Sequence, residues 1–350
     1  MNITVVTGNR SDWGLLELLV DKMNANPDFN VSVVATGSHL SPHHGYTVEE
    51  VDPDETVEIL LASDTKKSMS ISMGLAMQQF PQVYRKLYTD LVLLLGDRYE
   101  IFAAATSAYT LGIPIAHIYG GEVSGNIDDA FRDCITRMST LHFCATPDAF
   151  DRIGHIKRSS ERIYRVGALG CEDLVPVLNK KYPGTLLILF HPNTLMNESF
   201  LPLSNVLKER KEEGKIFILP NCDAGGMKIS DYIKGKFQSY VISKHIERNK
   251  FLDLLSNVKA IVGNSSAGII EAPFVGTPTI NIGDRQKNRA KATSVISCQN
   301  DENSIRRAFK QLDSSSEYYF QSPYFAYKNS SDTIIKILKE YQHGTSQKNN

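Results

Sequence analysis

The chain alternates between two kinds of segment. Short runs rich in apolar and β-branched residues occur at Ile3–Thr7, Val31–Ala35, Leu91–Leu95, Ile113–Ile118, Leu141–Ala145 and Ile163–Val166. A second set comes at Leu186–Phe190, Ile216–Leu219, Ala260–Gly263 and Pro278–Ile282. Helical periodicity fills the gaps, roughly over 12–25, 68–87, 99–111, 127–139, 199–213, 226–236, 247–256 and 267–275. Strands that alternate with helices predict parallel sheets joined by right-handed crossovers. Leu91-Val92-Leu93-Leu94-Leu95 is apolar at every position, as in a strand covered on both faces. The expected fold class is α/β, with parallel sheets whose strands alternate with helices.

At 350 residues the chain has room for two domains. Patterning is weakest at Asn179-Lys180-Lys181-Tyr182-Pro183-Gly184, which is read as the interdomain linker. That reading gives a first domain over 1–178 and a second over 179–319. A last helix lies within about 320–342, clearest at Asp332–Tyr341, before a polar end at His343–Asn350. The formal charge of -1 offers no electrostatic footprint for nucleic acid or an anionic membrane. The N-terminus runs directly into a strand, with no signal-peptide pattern. No apolar run approaches the roughly 20 residues that span a bilayer. The cysteines at 134, 144, 171, 222 and 298 are scattered and include no Cys-x-x-Cys pair. Neither a metal site nor a disulfide framework is expected, no cofactor is implied, and the cytoplasm is the default location.

In open parallel sheets ligands sit beyond the carboxyl ends of the strands. Chemistry-bearing residues stand just past nearly every strand. Gly8-Asn9-Arg10 comes after the first, Gly96-Asp97-Arg98 after Leu91–Leu95, and His117-Ile118-Tyr119-Gly120-Gly121-Glu122 at the next, with Asp128-Asp129 opening a helix. In the second half come His191-Pro192-Asn193 and Pro220-Asn221-Cys222-Asp223-Ala224-Gly225. Each has a plain structural reading. Asp128 suits an N-cap, His117 a satisfied core histidine, and His191 a turn before proline. Their joint placement at strand ends is the feature that independent structural roles do not explain.

The segment Gly263-Asn264-Ser265-Ser266-Ala267-Gly268-Ile269-Ile270-Glu271 reads as a strand end and then a helix start. A helix N-terminus attracts phosphate, and Ser265 and Ser266 add hydroxyl donors. Glu271 is placed to accept from a ribose diol, and Arg285, in Gly283-Asp284-Arg285-Gln286, brings a fork suited to a diphosphate. An ordinary strand–turn–helix with a serine N-cap gives the same pattern. The first half thus supplies carboxylates and imidazoles for acid–base work, and the second supplies groups that hold a nucleotide diphosphate.

At these motifs, with Thr36-Gly37-Ser38-His39-Leu40 and the long word from His117 to Asp129, the chain resembles the hydrolysing UDP-N-acetylglucosamine 2-epimerases of sialic-acid biosynthesis over about residues 1–312. The resemblance implies two Rossmann-like domains facing a cleft in the glycosyltransferase-B arrangement, a final helix packing back on the first domain, and a homodimer or homotetramer. It implies a UDP-sugar substrate contacted by Arg10, Arg98, His191, Asn221, Ser265, Ser266, Glu271 and Arg285. It puts Asp97 and Asp128 at catalytic carboxylate positions, with His191 also near the chemistry. The family's glutamate two residues after the strand-end histidine is Tyr119 here, leaving Glu122 or Tyr119 as the second acid/base. The expected reaction releases N-acetylmannosamine and UDP by elimination and rehydration. The UDP-N,N'-diacetylbacillosamine 2-epimerases are the alternative within the family. A retaining glycosyltransferase, or a non-catalytic nucleotide-sugar sensor, is the alternative outside it.

Overall fold

The computed structural model describes residues 1–61, 63, 65–125, 127–158, 162–193, 198–220, 225–315, 318, 320–326 and 329–346. The chain forms two compact units. The first comprises 1–122, 128–173 and 326–350, and the second 123–127 and 174–325.

The first unit is built on a parallel sheet of β1 (Asn2–Thr7), β2 (Asn30–Thr36), β3 (Glu55–Val57), β4 (Leu91–Leu95), β5 (Ile115–Ile118), β6 (Leu141–Cys144) and β7 (Ile163–Arg165). Its order is β3-β2-β1-β4-β5-β6-β7. The order reverses between β1 and β4, where Ile3 pairs with both Val31 and Leu91. β4 and β5 are buried at every position, which explains their unbroken apolar sequence. The crossovers are α1 (Arg10–Asn24), α2 (Val48–Val51), α3 (Lys66–Lys86), α4 (Tyr99–Thr110), α5 (Asp128–Met138) and α6 (Pro147–Lys157). Asn9 caps α1 by accepting from the Asp12 N–H at 3.1 Å.

The second unit carries β8 (Tyr182–Leu189), β9 (Gly214–Ile218), β10 (Val241–Ser243), β11 (Val258–Gly263), β12 (Thr279–Ile282) and β13 (Val295–Cys298). All pair in parallel, in the order β10-β9-β8-β11-β12-β13. Its helices are α7 (Leu201–Glu209), α8 (Gly226–Lys236), α9 (Arg248–Asn257) and α10 (Glu302–Ser314). One face is closed by Leu186, Ile188, Phe217, Ile280 and Phe309, the other by Leu187, Leu189, Leu255 and Ile261. The last helix, α11 (Ser330–Ser346), belongs to the first unit and packs on α1. There Ser330 Oγ donates to Val166 O at 2.6 Å, and Lys22 pairs with Asp332 at 3.1 Å.

Three expectations change. The segment 267–275 is not a helix. A 3₁₀ turn covers Ser266–Gly268, and turns continue to Gly276. Pro273 has no N–H for a helical ladder, and its ring disfavours helical backbone at Ala272. The Asn179–Gly184 linker is tied into the second unit: Lys180 Nζ donates to Ser256 O at 3.0 Å and to Thr277 Oγ1 at 2.8 Å, and β8 has begun by Tyr182. Finally, β3, β10, β13, α2, α6 and α10 are not among the elements read from the sequence.

Candidate active site

In the first unit the expected residues gather at the carboxyl ends of β1, β4 and β5. Gly96 turns the chain out of β4 with φ +81°, a conformation that suits glycine. His117, on β5, holds that turn from beside it, with Nε2 2.7 Å from Gly96 O and Nδ1 3.3 Å from Thr136 Oγ1. A carbonyl only accepts, so Nε2 carries the proton and Nδ1 accepts from the threonine. Burial pushes the His117 pKa down to about 4, so the ring is a neutral structural strut. Gly120 is needed beside it, because a Cβ there would lie 2.8 Å from Nδ1 and 2.9 Å from Thr136 Oγ1.

Asp97 comes directly after the turn and forms an ion pair with Arg132 of α5. Arg132 is 1% exposed, and its Nη1 also donates to Asp129 Oδ1 and to Glu122 O, both at 2.6 Å. One buried guanidinium therefore ties the turns after β4 and β5 to the first turn of α5, the three segments that carry the expected acid–base groups. Sequence reasoning missed it. The available signal was the Asp129–Arg132 spacing on a predicted helix, which puts opposite charges on one face. Asp128 opens α5 half-buried, while its neighbour Asp129 holds the arginine.

Tyr119 and Glu122 differ in setting. Tyr119 is buried, lies at φ +63°, and donates its hydroxyl to Leu169 O at 3.1 Å. Glu122 is buried and accepts from Thr146 Oγ1 at 3.2 Å. Arg98 Nε donates to Glu100 Oε1 at 2.7 Å, and the bare α-carbon of Gly8 leaves room for that carboxylate. Arg10 is the first residue of α1, and burial lowers its pKa against the opposing charge of Glu50. His39 is wedged between Thr7 Oγ1 at 3.0 Å and Thr47 Oγ1 at 2.8 Å, and burial pushes its pKa to about 4.

In the second unit, His191, Ser265, Ser266 and Arg285 lie just past β8, β11 and β12. Ser265 caps the 3₁₀ turn with its hydroxyl, accepting from the Ala267 N–H at 3.4 Å. The turn is too short for a helix dipole, so any anion there depends on side chains and loose N–H groups. Glu271 is ion-paired with Arg248, a partner the sequence did not suggest. Arg285 Nη1 donates to Asn264 O at 3.1 Å. Asn221 lies outside the described residues. A cavity of about 570 Å³ on this unit is lined by Pro192, Asn193, Phe200, Lys228 and Tyr232 among others, a size suited to a small-molecule ligand. Among the described residues no group of three His, Cys, Asp or Glu could hold a metal ion, and no helix is long and apolar enough to cross a membrane.

Two doubly wound parallel sheets with catalytic-type residues at their carboxyl edges define a Rossmann-like α/β protein of the kind that handles nucleotides. A solved structure of UDP-GlcNAc 2-epimerase from Neisseria meningitidis, bound to UDP-GlcNAc, shares this fold with a TM-score of 0.81 at 18% identity, over 97% of this chain and 100% of that one. A family profile described as UDP-N-acetylglucosamine 2-epimerase matches residues 21–339, and the chain belongs to that family. It is 34% identical to the GDP/UDP-N,N'-diacetylbacillosamine 2-epimerase (hydrolyzing) of Campylobacter jejuni, across 89% of this chain and 87% of that protein. It is 33% identical to the UDP-N,N'-diacetylbacillosamine 2-epimerase (hydrolyzing) of Legionella pneumophila, across 84% of each. It is also 30% identical to a UDP-N-acetylglucosamine 2-epimerase of Neisseria meningitidis, across 88% of this chain and 86% of the relative.

Proposed function

We propose that this protein is a hydrolysing UDP-sugar 2-epimerase acting on a UDP-linked 2-acetamido sugar. The observation that carries the reading is the Asp97–Arg132 ion pair at the carboxyl end of β4. It fixes a carboxylate at the strand end where a substrate carbon is expected, and a positioned carboxylate can serve as a general base. The C2 proton of such a sugar is too weakly acidic to leave unaided. In the proposed route the C1–O bond breaks first and its electron pair departs with UDP. The oxocarbenium character at C1 then lets Asp97 take the C2 proton, leaving a 2-acetamidoglucal. Water adds its oxygen to C1, and a proton enters C2 from the opposite face. The products are UDP and the free sugar inverted at C2. Arg10, Arg98 and Arg285 are assigned to the departing diphosphate, whose charge grows in the transition state. Glu122 is assigned the second acid/base role, because the Tyr119 hydroxyl is committed to Leu169 O.

The Campylobacter and Legionella relatives favour UDP-N,N'-diacetylbacillosamine as substrate. UDP-N-acetylglucosamine, giving N-acetylmannosamine, is the second reading, favoured by the Neisseria relative. Initial rates on both nucleotides, side by side, decide between them. Reaction in deuterium oxide tests the chemistry: the free sugar carries deuterium at C2, and unlabelled product rules the route out. Consumption of the UDP-sugar with no acceptor present separates an epimerase from a retaining glycosyltransferase. The same reading makes the enzyme a cytoplasmic homodimer or homotetramer, which sedimentation of the purified protein resolves.

A further inference from the structure

We infer that Asn264 is a positioning residue that sets His191 and Arg285 relative to each other. The inference rests on the diphosphate-binding role proposed for Arg285 and on the substrate contact that the family resemblance implies for His191. β11 ends at Gly263 with φ +144°, and a side chain there would collide with Leu189 O. The bare glycine lets the two strand ends approach, and the Asn264 N–H donates to Leu189 O at 3.0 Å. This places the Asn264 side chain, 0% exposed, against the turn after β8. Its Oδ1 accepts from the His191 N–H at 2.7 Å, and its Nδ2 donates to His191 O at 2.9 Å. Both main-chain polar groups of His191 are thus held by one amide. Pro192 comes next with no N–H to offer, so the turn leans on that clamp.

The Asn264 carbonyl faces a different loop. It accepts from Arg285 Nη1 at 3.1 Å and Gln286 Nε2 at 3.2 Å. The turns after β8, β11 and β12 therefore meet at one residue. Only asparagine offers both an acceptor and a donor at this reach. Aspartate lacks the donor, serine is too short, and glutamine carries an extra methylene into a closed space.

The test compares wild type, Asn264→Ala and Asn264→Asp as full-length protein, with UDP as the probe. Amide hydrogen exchange reads the clamp and calorimetry reads UDP affinity. In Asn264→Ala the His191 amide exchanges at least about tenfold faster and UDP binds about tenfold more weakly, the scale of one lost buried hydrogen bond. Exchange at Ile261 and Val262 of β11 stays unchanged. In Asn264→Asp the retained acceptor keeps the His191 amide protected, a rescue that general structural damage would not give. A protected His191 amide in Asn264→Ala overturns the inference. So does unaltered UDP affinity beside a lost clamp. Wild-type protein that fails to bind UDP overturns the functional reading instead, and the exchange data still decide the clamp.

Discussion

Arg132 and Asp97 form an ion pair in which the arginine side chain is 1% exposed and the carboxylate 17%. The same guanidinium holds Asp129 and the Glu122 carbonyl, so its loss strands several groups at once. Arg132→Met removes the cation and leaves Asp97 without its partner. Breaking a buried pair from one side costs about 3–5 kcal/mol, and the variant is expected to lose that much stability in urea unfolding. Arg132→Lys keeps the charge but not the fork, and is expected to fold with turnover strongly reduced.

Asp97→Asn keeps the shape of the side chain and removes the base. UDP affinity is expected to stay near wild type in calorimetry, while turnover of the UDP-sugar falls below detection. A variant that lost UDP affinity yet turned over at saturation would reassign Asp97 to binding.

Tyr119 and Glu122 separate by substitution. Tyr119→Phe removes one hydroxyl and leaves Leu169 O without it, a cost of about 1–3 kcal/mol in stability. Turnover per folded molecule is expected to remain. Glu122→Gln retains the bond to Thr146 in form but cannot exchange a proton, and turnover is expected to collapse. The two profiles are read from kcat and thermal melting on the same preparations.

Buried histidines make the fold acid-sensitive. Burial holds His39 and His117 near pKa 4 and His142 near 3, against an ordinary 6.5. Below pH 6.5 the unfolded chain takes up protons that the folded chain refuses. Their contribution is therefore intact above pH 6.5 and is lost as pH falls toward about 4. Each responsive histidine costs about 1.4 kcal/mol per pH unit crossed. Urea midpoints at pH 7 and pH 5 check the sign. Among the described residues no side chain bonds either ring nitrogen of His142, and only the Ser139 backbone acts on the ring to favour its proton. His142→Phe is accordingly expected to flatten the slope with little loss of stability at pH 7.

The central strands were legible because burial on both faces leaves no polar position. β4 carries that mark along its whole length, and β1 and β11 carry it in part, at Val5-Val6 and Ala260-Ile261-Val262. Three of the four edge strands were not, because β3, β10 and β13 are short and half-exposed. α10 was within reach, since Ile305, Ala308, Phe309 and Leu312 keep helical spacing behind an Asp301 cap. The apparent helix after Ser266 failed on Pro273, whose effect outweighed the apolar pattern. At the candidate site the residue types were readable from the turn at the carboxyl end of each strand. Their anchors were not, because Arg132 and Asn264 act through contacts made only once distant turns are brought together.

The closing helix has a consequence for how the two units are joined. α11 follows the second unit in sequence, yet it belongs to the first, where Lys339 pairs with Asp28 at 2.8 Å. The body from Leu174 to Phe325 is topologically an insertion, complete in sequence before its host can be sealed. The first unit therefore closes only through a segment that the chain reaches after the whole of the second, so the two cannot be separated by a single cut between them.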